Sequence, residues 1–306
     1  MVEPRYDTIS FLSDYGLADE FVGVVKGVIR TIAPHVTVID LTHDIAPHDT
    51  RAGALALARS VQYVPPGVVL AVVDPGVGTS RRAVAVEVGD GSGVLVGPDN
   101  GLLAPAVAMS GGADRAVELT ETAYQLPSPG PTFAGRDVFA PAAAHLCAGV
   151  ALDALGPEID PVTLLPGIVP LTRIEDGALV GEVLWVDRFG NAQLNVDPEE
   201  VAAMGDVVTL RWSDKTRTAH RAGTYDDLGP GRIGLIVDSY GLLSVALARR
   251  SASDELHLHA GDAVTLAAAA AAAGAASCRD LRGRVHPVRD PRQVRGRVRT
   301  ATCRGG

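Results

Sequence analysis

The first hundred residues alternate short apolar runs with helical segments, and this alternation constrains the fold more than any other feature of the chain. Apolar runs at residues 8–12, 36–41 and 68–73 predict strands, and the segments between them, residues 21–32 and 50–61, predict helices. Strands that alternate with helices form parallel or mixed sheets through right-handed crossovers, with helices on both faces. The sequence therefore predicts an N-terminal α/β domain with a central, mostly parallel sheet.

The pattern changes in the second half of the chain. Residues 156–170 are rich in Pro and Gly, which is typical of a linker, and beyond them apolar residues alternate with period two, as in residues 179–186. We expect an N-terminal α/β domain at 1–165, a smaller C-terminal β domain, sandwich or barrel, at 166–267, and a tail at 268–306. The Ala- and Arg-rich tail has too few large apolar residues to fold alone, so we expect it to be disordered, or helical only through its Ala run.

Composition and charge narrow the classes of function. The net charge of the chain is −9. Residues 278–306 contain nine arginines and two aspartates and so carry +7, which leaves −16 on the rest of the chain. This acidic body argues against nucleic-acid binding. No run of about 18 apolar residues occurs, and the N-terminus lacks the basic and apolar regions of a signal peptide. The cysteines, Cys147, Cys278 and Cys303, share no metal-ligand or disulfide spacing. We expect a cytoplasmic protein without a membrane or nucleic-acid partner.

Residues 72–82, VVDPGVGTSRR, place an acidic residue after an apolar strand and follow it with a glycine-rich bend and two arginines. Asp74 and Arg81 can form a charge-assisted pair that positions a water molecule, or a structural ion pair that stabilises the bend. A dinucleotide or phosphate loop is disfavoured, because Arg81 stands where G-x-G-x-x-G has its third glycine and no Walker A motif occurs.

Two further loops also follow predicted strands: Asp14 comes after the first strand and residues 42–49 come after the second. Ligands of open α/β sheets bind beyond the carboxyl ends of the strands, so we expect these loops and Asp74 to converge on one crevice. Asp14 can accept hydrogen bonds from two ribose hydroxyls, or it can cap the following helix.

A metal site is one interpretation of the loop at residues 42–49, which contains His43, Asp44, His48 and Asp49. Zinc needs two or three histidines in fixed geometry, and a turn that contains proline offers no helical face for them. We therefore favour capping of the following helix by Asp49 or Thr50, with a metal-dependent hydrolase as the alternative.

The segment at residues 187–191, DRFGN, ends a strand with a tight turn, and Gln193 and Asn195 follow it. Amide side chains present a donor and an acceptor together, which matches the edge of an adenine; the alternative is a plain β-turn. No G-x-S-x-G elbow or other nucleophile pattern occurs in the chain.

Seven motifs in this order resemble the S-adenosyl-L-methionine (SAM) hydroxide adenosyltransferases, or SAM hydrolases, which are relatives of the fluorinase and chlorinase. They are FLSDYG, LTHDIAPHD, VVDPGVGTSRR, GPDNGLL, TFAGRDVFAPAAA, DRFGN and IVDSYGLLSVAL. The resemblance implies an α/β domain, a β-barrel-like C-terminal domain, and a homotrimer with active sites between the N-terminal domain of one subunit and the C-terminal domain of the next. It also implies a reaction without metal or cofactor, in which water or hydroxide attacks ribose C5′ of SAM and releases adenosine and L-methionine.

The resemblance further implies which residues contact the substrate. Asp14 would bind the ribose hydroxyls, Asn191 the adenine, and Asp187 with Ser239 the amino and carboxylate ends of methionine. Three other residues complete this implied substrate-binding set: His48, Phe189 and Tyr240.

One position departs from the family pattern. Asp74 and Arg81 match two members of the family's water-positioning Asp-Arg-His triad, but Ala134 stands where TFHGRD has its histidine. Loss of a general acid or base typically costs about 10²- to 10⁴-fold in rate, so impaired hydrolysis is expected. A deliberate His-to-Ala variant of a hydrolase and a natural divergence with altered activity both fit, and the unchanged flanking residues favour the first.

Two alternatives to a hydrolase remain. One is a SAM-dependent halogenase. By resemblance, the halogenases replace the Asp-Arg pair that this chain retains. The fluorinase also has a long insertion after the strand equivalent to residues 83–88, where this chain has a short glycine-rich turn. Water is therefore the favoured nucleophile. The other is a catalytically inactive protein that binds SAM or adenosine, which Ala134 makes plausible.

Overall fold

The computed structural model describes residues 5–269, and their N-terminal half is built around a mixed sheet of seven strands. These strands are β1 (Thr8–Ser13), β2 (Thr37–Thr42), β3 (Gly67–Val72), β4 (Ala83–Val88), β5 (Gly93–Pro98), β6 (Ala113–Glu118) and β7 (Glu158–Ile159). Their order is β2-β1-β3-β5-β4-β6-β7, with parallel pairing from β2 to β5 and antiparallel pairing beyond. Five of the seven strands thus run in one direction.

Helices cover both faces of this sheet. They are α1 (Phe21–Ile32), α2 (Thr50–Val61), α3 (Ala104–Met109) and α4 (Ala140–Cys147), which continues a π-helical turn at Gly135–Phe139. The buried residues of α1, Val22, Val25 and Ile29, recur at helical spacing and share one core cluster with α4. Helices α2 and α3 contribute to a second cluster on the other face. Strands β1 and β3 are buried along their whole length, as strands covered on both faces should be.

The C-terminal half forms a closed barrel of seven strands with one extra strand attached. The strands are β8 (Arg173–Glu175), β9 (Ala178–Val186), β10 (Ala192–Leu194), β11 (Val207–Trp212), β12 (Lys215–Ala222), β13 (Ile233–Val237), β14 (Leu243–Leu247) and β15 (Ala263–Ala268). The ring runs β10-β14-β13-β12-β11-β15-β9 and closes through the pairing of β9 with β10, while β8 pairs with β9 outside it. Two short helices, α5 (Pro198–Ala202) and α6 (Ala252–Leu256), connect strands.

Within residues 5–269, four 3₁₀ turns complete the regular structure: Thr122–Tyr124, Leu152–Leu155, Pro161–Thr163 and Tyr225–Asp227. The α/β sheet followed by a β-barrel confirms the predicted fold class. The predicted domain boundary at residues 165/166 stays a prediction. The predicted disordered tail lies, from residue 270 onward, outside the described residues.

Helix α2 contacts the barrel through two arginines. Arg51 donates to Glu182 Oε1 at 2.5 Å, and the Arg59 guanidinium lies 4.2 Å from the centroid of the Trp185 ring and 5.7 Å from that of Tyr240. Burial lowers the pKa of Arg59 below its ordinary value. No helix within residues 5–269 combines the length and the apolar character needed to cross a membrane.

Candidate active site

The loops that follow β1, β2 and β3 meet at the carboxyl edge of the N-terminal sheet. Backbone hydrogen bonds join them: Asp14 N–H donates to the carbonyl of Val72 at 3.4 Å, and Gly16 N–H donates to that of His43 at 2.8 Å. The side chain of Asp14 accepts from His48 N–H at 2.9 Å, so it ties the first loop to the second. Convergence of the three loops is therefore confirmed. Asp14 does not cap α1, whose N-cap residue is Glu20.

These loops and the segment before the π-helix enclose a cleft of about 250 Å³. Its lining includes Asp14, His48, Asp74 and Ala134, which the sequence marked as candidates. Other residues of the lining were not among the candidates, and one of them is Tyr15, which directly follows Asp14 after the end of β1.

Asp74 and Arg81 form a buried ion pair at this cleft. Arg81 Nε donates to Asp74 Oδ1 at 2.8 Å, and Nη2 donates to Oδ2, so the guanidinium engages both carboxylate oxygens. The Asp74 side chain is 5% exposed and that of Arg81 14%. The guanidinium also lies 5.1 Å from the centroid of the Phe139 ring. These contacts fix the orientation of the Asp74 carboxylate.

The glycine-rich bend brings Arg81 back to Asp74. Val77 N–H donates to the Asp74 carbonyl at 3.2 Å, and Thr79 Oγ1 donates to the Gly76 carbonyl at 2.7 Å. Gly78 has φ +77°, and a Cβ there would lie 3.1 Å from the Pro131 carbonyl oxygen, so this position requires glycine. The bend thus serves to close the ion pair.

Ala134 precedes the π-helical turn and presents a methyl group to the cleft. Its backbone is helical, with φ −59° and ψ −27°. The next charged residues, Arg136 and Asp137, pair with each other at 2.6 and 3.0 Å. The alanine side chain has no group that could transfer a proton, and neither Arg136 nor Asp137 is among the residues that line the cleft.

A second group of candidate residues lies on the barrel, at the turn between β9 and β10. Asp187 Oδ1 accepts from the N–H groups of Phe189 and Asn191, both at 2.8 Å, and Asn191 Nδ2 donates to Asp187 Oδ2 at 2.7 Å. Gly190 has φ +82° in this turn. Asp187 therefore stabilises a tight turn and fixes the side-chain amide of Asn191. The side-chain oxygen of Asn191 takes no part in these hydrogen bonds.

The turn between β13 and β14 carries the remaining candidates, Ser239 and Tyr240. Asp238 holds this turn by accepting from Tyr240 N–H at 2.9 Å, Ser244 Oγ at 3.1 Å and Gln193 Nε2 at 2.6 Å. Ser239 and Tyr240 line a depression of about 1060 Å³ together with three other candidates: Asp187, Phe189 and Asn191.

Two of the amides that the sequence grouped with Asn191 have structural partners. Gln193 is buried and bound to Asp238. Asn195 accepts from Glu182 N–H at 2.7 Å and donates to the Pro170 carbonyl at 3.0 Å. The candidate residues consequently fall into two groups, an N-terminal cleft and a barrel depression, which share no lining residue.

The loop at residues 42–49 does not assemble a metal site. His43 is buried, with Nδ1 at 2.8 Å from Ser13 Oγ and Nε2 at 3.1 Å from Asp40 Oδ1, whereas His48 is exposed. Asp49 accepts from Ala52 N–H at 2.8 Å and caps α2, as predicted. Within residues 5–269, no three His, Cys, Asp or Glu side chains gather in an arrangement that could hold a metal ion.

Comparisons with known proteins cover both halves of the chain. The sequence profile of the SAM hydroxide adenosyltransferase N-terminal domain matches residues 9–156, and that of the C-terminal domain matches residues 181–265. An (R)-S-adenosyl-L-methionine hydrolase of Salinispora tropica is 46% identical over 265 residues, which are 85% of this chain and 97% of the relative. A protein of the same name from Thermus thermophilus is 42% identical over 267 residues, 84% of this chain and 98% of the relative.

More distant relatives and solved structures agree with these matches. A fluorinase of Actinoplanes sp. is 28% identical over 221 residues, 64% of this chain and 74% of the relative. The crystal structure of an uncharacterized conserved protein from Thermotoga maritima superposes with a TM-score of 0.78 at 34% identity, over 85% of this chain and 99% of that one.

Proposed function

The chain belongs to the SAM hydroxide adenosyltransferase family, and from this premise we propose that it hydrolyses SAM to adenosine and L-methionine. The observation that carries the proposal is the buried ion pair of Asp74 with Arg81, in which Asp74 lines a small cleft at the carboxyl edge of the sheet. Relatives more than 40% identical over nearly their whole length are named as SAM hydrolases.

The reaction needs alignment more than activation of the leaving group. The water oxygen forms a bond to ribose C5′ while the C5′–S bond breaks. The electron pair of the C5′–S bond goes to sulfur, which becomes the neutral thioether of methionine. One water proton passes to Asp74 and then to solvent. Because the sulfonium is already a good leaving group, the protein must hold water, C5′ and sulfur in line and exclude other solvent. Asp74, held through both oxygens by Arg81, provides a fixed acceptor for one water O–H.

We propose that the barrel residues bind the two ends of SAM. The Asn191 oxygen is available for the adenine amino group, and Asp187 with Ser239 lies in the same depression for the methionine end. Asp14 and His48 line the N-terminal cleft, and we propose that they bind the ribose. Exposed aromatic rings of Phe189 and Tyr240 offer faces on which a base can stack.

We further propose a homotrimer in which the cleft of one subunit faces the barrel depression of the next. Two observations support it: the candidate residues of one chain occupy two separate depressions, and the connection between the sheet and the barrel exposes large apolar residues. These exposed residues are Val162, Leu165, Ile168, Val169, Leu171 and Ile174.

Mixing two inactive variants tests the shared site. Asp74→Asn damages the cleft and Asn191→Ala the depression, and the two are co-expressed with different tags. If sites form between subunits of a closed ring, about a quarter of the sites in randomly mixed trimers combine two intact halves, so activity returns. Sites formed within one chain would give no recovery, and light scattering of the same samples reports the subunit number.

We propose that Ala134 makes hydrolysis slow while substrate binding is retained. Restoring the histidine, Ala134→His, should raise the rate of adenosine release by about 10²- to 10⁴-fold. Adenosine is followed by chromatography over long incubations, and SAM binding by calorimetry. No gain in rate would reject the assignment of residue 134 to the triad.

An inactive SAM- or adenosine-binding protein is the second candidate, and the methyl group of Ala134 favours it. It predicts SAM binding without product over days in both the wild type and the Ala134→His variant. A halogenase is disfavoured, because the Asp74–Arg81 pair is present and only residues 89–92 separate β4 from β5. We therefore expect no 5′-chloro-5′-deoxyadenosine or 5′-fluoro-5′-deoxyadenosine when halide is added.

The proposal also includes a reaction without metal or cofactor and a cytoplasmic location. Hydrolysis should survive a chelator such as EDTA, which would remove the metal-dependent alternative based on His43 and His48. Fractionation of the producing cells would test the location.

A further inference from the structure

Tyr15 is fixed in the N-terminal cleft by three aromatic side chains. Its ring centroid lies 5.6 Å from that of Phe133, 5.7 Å from that of Phe21 and 6.5 Å from that of Phe11, mostly in edge contacts. Such packing leaves the ring little freedom to change rotamer, so its hydroxyl has a defined position at the cleft.

The hydroxyl lies directly beside the segment that contains Ala134. A Cβ at position 135 would overlap the Tyr15 hydroxyl oxygen and would lie 3.0 Å from Cζ. Glycine at 135 therefore leaves the space that the phenol occupies. Tyr15, Ala134 and Gly135 line the same cleft as Asp74.

This hydroxyl has no protein partner: within residues 5–269 it makes no hydrogen bond, although the Tyr15 backbone N–H donates to Ser13 Oγ at 3.3 Å. Burial first, and the negative charges of Asp14 and Asp74 second, raise the pKa of Tyr15 above its ordinary value, while Arg81 opposes the shift and Asp137 adds to it. The phenol is thus neutral at physiological pH and can both donate and accept a hydrogen bond.

We propose that the Tyr15 hydroxyl is the third polar group of the water site and positions the nucleophile where this chain lacks a histidine at residue 134. The inference rests on the proposed hydrolysis of SAM and names a further residue for that reaction. The phenol oxygen accepts one O–H of the water and Asp74 accepts the other, which leaves a water lone pair directed at C5′. Tyr15 takes no proton: the C5′–O bond forms, the C5′–S bond breaks toward sulfur, and the released proton leaves through Asp74.

The first test is Tyr15→Phe, which removes one oxygen and keeps the ring. We expect kcat for adenosine release to fall about 10- to 100-fold, the size of one lost hydrogen bond to a reacting group, with KM for SAM and the melting temperature little changed. Tyr6→Phe is the matched control, because the Tyr6 hydroxyl is also a part-buried group but donates to the Gly91 carbonyl at 2.9 Å, away from the cleft. Its kcat should equal that of the wild type.

A second test couples Tyr15 to its neighbours. Gly135→Ala should lower kcat in the wild-type background and lower it less in the Tyr15→Phe background, because the added methyl group collides chiefly with the hydroxyl oxygen. Tyr15→Phe should likewise cost less in the Ala134→His background, where histidine supplies the third group.

The outcomes separate this inference from the proposed function. No adenosine from the wild type or from Ala134→His would reject the hydrolase itself. Adenosine from Ala134→His alone, with none from the wild type, would keep the hydrolase and reject Tyr15. An active wild type whose kcat is unchanged by Tyr15→Phe, or a loss that appears only as a lower melting temperature or a higher KM, would also reject Tyr15.

Discussion

Replacing Asp74 with asparagine removes one charge from a pair that is almost closed to solvent. Arg81 donates to both oxygens of Asp74, and the two side chains are 14% and 5% exposed. Asparagine keeps the size of the side chain, but it leaves the guanidinium buried without a counter-charge and offers one acceptor in place of two.

The expected magnitudes follow from this burial. Breaking a buried ion pair by removing one partner costs about 3–5 kcal/mol of stability, which corresponds to a melting temperature lower by about 10 °C in a chain of this size. Loss of the acceptor for the water proton should lower kcat by about 10²- to 10⁴-fold, beyond the effect of stability. Adenosine release is measured well below both melting temperatures, and unfolding is followed by circular dichroism.

Asp99→Asn is the matched control for this change. Arg82 Nε and Nη2 donate to Asp99 Oδ2, at 2.9 and 2.6 Å, and the Asp99 side chain is 5% exposed like that of Asp74, but this pair lies outside the cleft. We expect a comparable loss of stability with kcat unchanged. If Asp74→Asn leaves kcat intact, or if Asp99→Asn lowers it equally, the role given to Asp74 is wrong.

Three further changes test the packing around the site. Burial raises the pKa of Cys147 to about 12, so the folded state keeps a proton that the unfolded state loses near pH 9. The free energy of unfolding should therefore fall between about pH 9 and 12, and it should fall more steeply in the wild type than in Cys147→Ala. Equal slopes in the two proteins would refute the burial of this thiol. Asp49→Ala should lower stability by about 1 kcal/mol through loss of the α2 cap, whereas Asp49→Asn should not; equal melting temperatures for all three proteins would contradict the cap. Ser13→Ala should lower the free energy of unfolding by about 1–3 kcal/mol, because it removes the hydrogen-bond partner of Nδ1 in the buried His43 side chain. An unchanged midpoint of urea unfolding would show that this hydrogen bond contributes nothing to stability.

The convergence of the loops could be predicted because it depends on local order. Adjacent parallel strands end at one edge of a sheet, and β2, β1 and β3 are neighbours, so the residues that follow them had to meet. Pairing of Asp74 with Arg81 followed from the glycine-rich bend between them, and capping by Asp49 followed from its place before an Ala-rich helix. These predictions used only short separations along the chain.

The barrel closure could not be predicted in the same way. Apolar residues alternate with period two in both a sandwich and a barrel, so this pattern does not distinguish them. The barrel closes because β9 pairs with β10 along one edge and with β15 along the other. The parallel pairing of β12 with β13 likewise depends on how the chain returns between them. Such pairings are decided by packing between distant strands.

Tyr15 was missed for a related reason. It follows Asp14 immediately, but its importance comes from contacts with Phe133 and Gly135, which are far away in the sequence. A tyrosine after a strand end carries no signal by itself. Only the fold shows that its hydroxyl lies beside Gly135, in the cleft that Ala134 also lines.

Hydrolysis in H₂¹⁸O tests the proposed attack of water on C5′ most directly. The wild type and the Ala134→His variant are incubated with SAM in labelled water, and the products are analysed by chromatography and mass spectrometry. The account predicts one ¹⁸O atom in the 5′-hydroxyl group of adenosine and unlabelled methionine, formed faster by the variant. Label in the methionine-derived product, or no adenosine from either protein, would contradict it.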